Sequence, residues 1–332
     1  MEMINLVEVT RGDLVESIHQ GFFVVVDTKG QIIASGGDSN YVTYMRSCAK
    51  PMQALPAVEK GITKHYGLTS EEIAILTASH SGEEIHRDVV TSILNKIGLS
   101  PEYLQCGIHK PLHRPSAEKL IEQGKNADVL HTSCSGKHVG MLLICQYFGW
   151  TLEGYYLPEH QVQQLMLDYV AQVTQMDKEK IVLGIDGCGV PVFGMPLYNM
   201  ALAFASLANP QFSAERNEAV GKIVEAMTTY PQVVAGTGRF CTDLMAATQG
   251  RIVAKDGNEG IFCLGIVDKG WGLAIKVADG SMRPHGPAIL SILEQLNVLE
   301  EEELIKLAGY RNPKVRNFRK EVIGEIRSTI KI

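Results

Sequence analysis

Residues 251–280 read RIVAKDGNEGIFCLGIVDKGWGLAIKVADG, and the fold turns on how they are read. Runs rich in β-branched and aliphatic residues are separated by Asp-Lys-Gly and Ala-Asp-Gly punctuation, the pattern of short strands joined by tight turns. Working outward, the first forty residues share that character. INLVEV (4–9) reads as a strand, and GFFVVVDTKGQIIASGG (21–37) as a hairpin about Asp27–Gly30. Between these ends the period becomes helical: RDVVTSILNKIG (87–98), KHVGMLLICQYFGW (137–150), EHQVQQLMLDYVAQVTQM (159–176) and AERNEAVGKIVEAM (214–227). Two late helices are expected near GPAILSILEQL (286–296) and EEELIKLAG (301–309). Strands therefore bracket helices. The expected class is α+β, an antiparallel sheet assembled from both chain ends with a helical insertion on one side and a cleft between them. We read residues 1–332 as a single domain, with a sheet subdomain (1–45 and 250–332) and a mainly helical subdomain (46–249).

Bulk composition narrows the function. The 332 residues are 45% hydrophobic, enough for a substantial core. Thirty-one basic against thirty-seven acidic side chains leave a net charge of −6, with no basic arm or stripe to track phosphates, which argues against a nucleic-acid partner. No stretch approaches the apolar length of a membrane span, and MEMINLVEVTRGDLVES lacks the basic-then-apolar order of a secretory signal. The seven cysteines are scattered, odd in number and without a Cys-x-x-Cys pair, as expected of reduced thiols. A cytoplasmic location is the expectation.

YMRSCAKPMQALP (44–56) is where chemistry first shows. A lysine in a helix's first turn sits against the positive end of the macrodipole, so Lys50 is not there for stability. If Ser47 opens that helix, Lys50 lies on the same face and reaches the hydroxyl; burial disfavours the ammonium form, so the amine can accept the serine proton. Ser-x-x-Lys alone is a weak signal, and Ser116-Ala-Glu-Lys119 matches it too, with Ser116 read as an N-cap and Lys119 as a surface charge. Company strengthens the first match. Serine hydrolases of the penicillin-binding type combine Ser-x-x-Lys with a second loop serine and a Lys-x-Gly on a late strand. Here SHSGEE follows the strand-like EIAILTA and supplies Ser79 and Ser81, and Lys255-Asp256-Gly257 ends a late strand.

HTSCSGKHVG (131–140) and GIDGCGVPV (184–192) each set a cysteine in a glycine-rich turn with polar neighbours. Ordinary ligand chemistry would gather Cys134, Cys188, His138 and Asp186 around zinc. Cys106, Cys145, Cys241 and Cys263 read as small buried hydrophobes. His109 and His113 are spaced by four but separated by Pro111, so they read as loop residues. His80 and Glu83 flank Ser79 and either tune the cleft or stabilise a turn. GTGRFCTDLM (236–245) lacks the lysine and spacing of a phosphate-binding loop and reads as a structural or substrate-lining turn.

Taken in order, RSCAKP, ASHSGE, CGIHKP, SCSGKH, DGCGVPV, GTGRFCTDLM, KDGNEG and KVADGSMRP resemble the Rhizobium-type L-asparaginase family over roughly residues 7–330. The resemblance implies a fold like that of serine β-lactamases and glutaminases, and two Ser–Lys pairs, Ser47 with Lys50 and Ser79 with Lys255. Ser47 would be the nucleophile and Lys50 its base, with Ser79 and Lys255 relaying a proton to the departing ammonia. The reversed roles of the serines stay open. It also implies zinc held by Cys134, Lys137 and Cys188, with Asp186 beside it, and a homodimer. A free amino-acid substrate needs a cation and an anion in its pocket. Arg46 is the candidate for the α-carboxylate and Asp186 for the α-ammonium. The expected function is hydrolysis of L-asparagine to L-aspartate and ammonia; the rivals are another serine amidohydrolase (a glutaminase or a β-lactam or peptide hydrolase) and a non-catalytic, zinc-containing amino-acid-binding protein.

Overall fold

The computed structural model describes residues 2–332. Its strands are β1 (Ile4–Arg11), β2 (Leu14–Asp27), β3 (Ile32–Gly36), β4 (Val42–Tyr44), β5 (Val182–Ile185), β6 (Pro191–Pro196), β7 (Ile252–Gly257), β8 (Ile261–Ile266), β9 (Trp271–Val277), β10 (Lys314–Arg316) and β11 (Val322–Ser328). The chain forms two compact units, residues 1–43, 195–209 and 243–332, and residues 44–194 and 210–242.

The first unit is built on an eight-stranded sheet in the order β10–β11–β1–β2–β9–β8–β7, with β3 also paired to β2. The pairs between β1 and β11, β2 and β9, and β7, β8 and β9 are antiparallel, so the sheet does draw on both ends of the chain. The GFFVVV run is central: Phe22 to Val26 are buried, and β2 turns into β3 through Asp27–Gly30, where the Asp27 carboxylate accepts the N–H groups of Lys29 and Gln31. Strands β7 and β8 are buried along their whole length; β8 carries only apolar residues and glycine, whereas β7 buries Lys255 and Asp256 as well. The Leu197–Ala208 helix lies on β9, β8 and β2 and belongs to this unit, although the sequence puts it inside the mainly helical stretch. Gly272 permits the fit, since a Cβ there would come 1.9 Å from Ala201 O.

The second unit is mainly helical, and its hub is the Lys50–Glu59 helix, buried from Lys50 to Val58. It touches the Gln161–Thr174, Ala214–Thr229, Ser135–Phe148 and Ser70–Leu76 helices. A helix apolar on all sides belongs at such a centre. Pro51 sits in its first turn, where a missing N–H costs little.

Two local expectations are corrected. EIAILTA is not strand-like, because residues Ser70–Leu76 form a helix, started by a capping box in which Thr69 accepts from Glu72 N–H and the Glu72 carboxylate accepts from Thr69 N–H. Ser116 is not an N-cap; His113 holds that position, with Pro115 in the first turn, and Ser116 Oγ is 2.8 Å from His113 Nδ1.

Candidate active site

Three pieces of backbone in the helical unit bring the singled-out residues together. The first is the 3-10 turn Arg46–Ala49, which feeds straight into the helix starting at Lys50. Ser47 therefore lies one turn before that helix and half-buried, and Lys50 N–H donates to Ser47 O. Arg46 has φ +49°, an uncommon conformation for a side chain of its size. Its Nε donates to Asp186 Oδ1 at 3.0 Å.

The second is the loop after the Ser70–Leu76 helix. Lys50, with no solvent exposure, has its Nζ 2.6 Å from Ala78 O, 2.8 Å from Ser79 Oγ and 3.3 Å from Cys134 Sγ. Ser79 is thus a direct neighbour of Lys50. Lys255 lies in the sheet unit, on β7, fully buried, with its Nζ 2.8 Å from both the carbonyl and the carboxylate of Asp256.

The third is a pair of turns. Cys134 precedes the Ser135–Phe148 helix, and Asp186 and Cys188 occupy the hairpin turn between β5 and β6, closed by Asp186 N–H to Val190 O and Gly189 N–H to Asp186 O. One ligand atom from each of Cys134, Asp186 and Cys188 lies within 4.8 Å of the others. Lys137 Nζ is 3.6 Å from Asp186 Oδ2. Charges in this cluster are interdependent. The contact between Cys134 and Cys188 brings Cys188 down to about 5, against burial and with Lys137 helping, and together with burial it pushes Cys134 up to about 12, against the pull of Lys50 and Lys137. Burial opposes the Lys137 charge, but Cys188, Cys134 and Asp186 outweigh it and hold the amine protonated. Asp186 is brought down to about 2: burial opposes its charge, and Lys137, Arg46 and Lys50 overcome that.

Two converging sulfurs, a carboxylate and an amine within reach are a donor set suited to a soft divalent ion such as zinc. His138, the alternative ligand by ordinary chemistry, falls outside the cluster. Its Nδ1 is 2.6 Å from the Tyr155 hydroxyl, which already accepts Gln105 N–H. That contact occupies Nδ1, one of the two ring nitrogens a metal could use. Burial beside Lys137 keeps His138 neutral, its value down to about 3.

The residues read as tuning the cleft, stabilising a turn or lying in loops make supporting contacts. His80 accepts Gly82 N–H at Nδ1, so Nε2 donates to Ser135 Oγ at 2.8 Å, and its ring stacks on His86 at 4.8 Å. Burial, with His86 and Lys50 adding to it, pushes His80 well below its usual value. His109 Nε2 accepts Ser133 N–H and steadies the Cys134 turn. The Glu83 carboxylate takes both the N–H and the hydroxyl of Thr237, at 2.8 and 2.7 Å. GTGRFCTDLM is thus anchored to the Ser79 loop. All seven cysteines are buried and none is in a disulfide, and burial raises Cys106 and Cys145 to about 12, as expected of inert thiols.

A buried amine against a hydroxyl, beside a sulfur and carboxylate cluster, is a candidate hydrolytic site. Residues 7–328 match the family described as L-asparaginase II, and the chain belongs to that family, whose members act on small-molecule amides. No individually curated protein matches the chain. Among solved structures it is similar to a β-lactamase from Mycobacterium bovis (16% identity, covering 84% of this chain and 95% of that one, TM-score 0.46). A glutaminase from Bacillus is similar at 14% identity, covering 84% of this chain and 91% of that one, with TM-score 0.38. No helix among the described residues is long and apolar enough to cross a membrane.

Proposed function

We propose that the chain hydrolyses the side-chain amide of L-asparagine, giving L-aspartate and ammonia through an acyl-serine. The observation that carries this reading is the position of Lys50 Nζ, buried, 2.8 Å from Ser79 Oγ and one 3-10 turn beyond Ser47. Lys50 takes the Ser47 proton as Ser47 Oγ bonds to the amide carbon, and passes it on to Ser79, which delivers it to the departing nitrogen. The C–N bond breaks and ammonia leaves. Water then attacks the acyl ester, giving its proton back along the same route to Ser47. On the resemblance alone, Lys255 is the candidate for a second base in this relay. Arg46 meets the substrate's α-carboxylate and Asp186 its α-ammonium. Cys134, Lys137 and Cys188 would hold zinc, Lys137 giving up its proton to do so, and the ion would supply positive charge that orients the substrate. A cytoplasmic homodimer completes the proposal, on the resemblance and on the free thiols.

Ammonia release from L-asparagine tests it. Wild type should turn over, and Ser47→Ala and Lys50→Met should each lose about 1,000-fold or more in kcat. An unimpaired Ser47→Ala would remove Ser47 from the role of nucleophile. Hydrolysis of nitrocefin, with asparagine untouched, would move the substrate to β-lactams; ligand binding without any turnover would favour the amino-acid-binding reading.

A further inference from the structure

Cys134 and Cys188 meet from turns of very different build. Cys134 is fixed in place. Its carbonyl accepts His138 N–H as the Ser135–Phe148 helix begins, and the residues on either side are tied down, Ser133 N–H to His109 Nε2 at 2.9 Å and Ser135 N–H to Thr132 O at 2.8 Å. Cys188 stands instead in the β5–β6 hairpin turn, Asp186-Gly187-Cys188-Gly189, between two exposed glycines. At each of these glycines an added Cβ would meet nothing within 4 Å. The turn therefore has open space on both sides of Cys188, and its glycines leave the backbone free to adjust.

The two sulfurs lie within 4.8 Å of each other. A disulfide needs them about 2.05 Å apart, so closing the gap asks for a movement of about 3 Å or less. The glycine-flanked turn can supply it while Cys134 stays put. Cys188 is itself buried, but the exposed glycines beside it give a small oxidant an approach from solvent. Cys106 is a third thiol near enough to interact with both, yet its Sγ is directed at Val129 O, 4.0 Å away.

We infer that Cys134 and Cys188 form a reversible oxidation site: hydrogen peroxide joins them in a disulfide, and a dithiol reopens it. The Cys188 sulfur attacks one peroxide oxygen, the O–O bond breaks, and water leaves with the thiol proton, giving a sulfenic acid. The Cys134 sulfur then bonds to the Cys188 sulfur, the S–O bond breaks, and a second water leaves with the Cys134 proton. Two thiols thus give two electrons and two protons to one peroxide. In a reducing compartment the dithiol is the resting form. Once bridged, neither sulfur is a thiolate donor, so oxidation and zinc exclude each other; only this consequence rests on the zinc reading.

The test uses the full-length chain, reduced, freed of metal by a chelator and desalted. After hydrogen peroxide it is unfolded in an alkylating agent and digested without reductant. Mass spectrometry should find the Cys134 and Cys188 peptides joined, lighter by two hydrogens than their sum, and parted by dithiothreitol. Peptides joined through Cys106 instead, Cys188 carried to sulfinic acid with Cys134 alkylated, or full alkylation of both overturn the inference. Circular dichroism melting before treatment confirms that the chain is folded. Cys134→Ser should leave Cys188 as a sulfenic acid trapped by dimedone, and the wild-type digest decides the matter even if that variant does not fold. Zinc added before the peroxide should slow bridging about tenfold, with one zinc released to a chelating dye per bridge formed. A bridge that forms at the same rate with zinc present supports the oxidation site and removes the zinc reading alone.

Discussion

Glu83 illustrates how one side chain can hold two distant stretches of chain. Its two oxygens meet two donors of Thr237, 154 residues away. Glu83→Gln keeps the shape but turns an NH2 towards a donor, leaving a buried group unpaired. Such a mismatch costs about 1–3 kcal/mol, so urea denaturation should show a loss of that size. The carboxylate also sets a pH response. Burial opposes its charge, but the Thr237 bonds and nearby His86 hold its value below the usual 4.5. A depressed carboxylate contributes stability that is present above its unfolded value and lost as pH falls through the folded one, so the gap between wild type and Glu83→Gln should narrow as pH falls below 4.5. At this scale the sequence disclosed much of the site. Ser47, Lys50, Cys134, Asp186 and Cys188 stand in short motifs whose residue types declare their chemistry. In the sequence Glu83 reads only as a residue that tunes the cleft or stabilises a turn, and His138 as a zinc ligand, because the partners that decide their roles, Thr237 and Tyr155, are brought near only by folding.

Single helices show where local reading fails and where it can be trusted. EIAILTA was too short and too apolar for its period to separate strand from helix. The deciding signal stood just before it, in Thr69 and Glu72, whose reciprocal bonds commit the segment to a helix. Thr69→Ala should lower stability by about 1 kcal/mol in a denaturant titration. Glycines within helices make a sharper pair of expectations. Gly136 sits where the Ser135–Phe148 helix meets Ile75; a Cβ there would be 2.1 Å from the Ile75 carbonyl oxygen, which is backbone and cannot step aside. Gly221, in the Ala214–Thr229 helix, has nothing within 4 Å. Gly136→Ala should therefore destabilise by about 1–3 kcal/mol, while Gly221→Ala should stabilise by roughly 0.5–1 kcal/mol. Equal shifts in the denaturation midpoints would contradict this packing.

Across the whole molecule, several buried histidines are kept neutral. Burial lowers His80, His86, His138 (to about 3) and His285 (to about 4). A base whose folded value is depressed binds its proton more readily when unfolded. The folded chain should therefore lose stability as pH falls below about 6.5 towards the folded values, at most about 1.4 kcal/mol per unit for each such group. Melting temperature should fall between pH 7 and 5, and His285→Gln should fall less steeply; identical slopes would exclude His285 as a contributor. The antiparallel sheet from both chain ends was legible because strand-like runs flank helical ones. Membership of the Leu197–Ala208 helix was not, since an apolar helix carries no mark of which surface it will cover. Strand β1 lies between β2 and β11, and β11 ends at Ser328. During translation, the opening segments must wait for nearly the entire polypeptide to leave the ribosome before gaining that neighbour. The helical unit needs nothing beyond Thr242 and can mature first, and until then the unpaired flank of β1 is a natural place for a chaperone to bind.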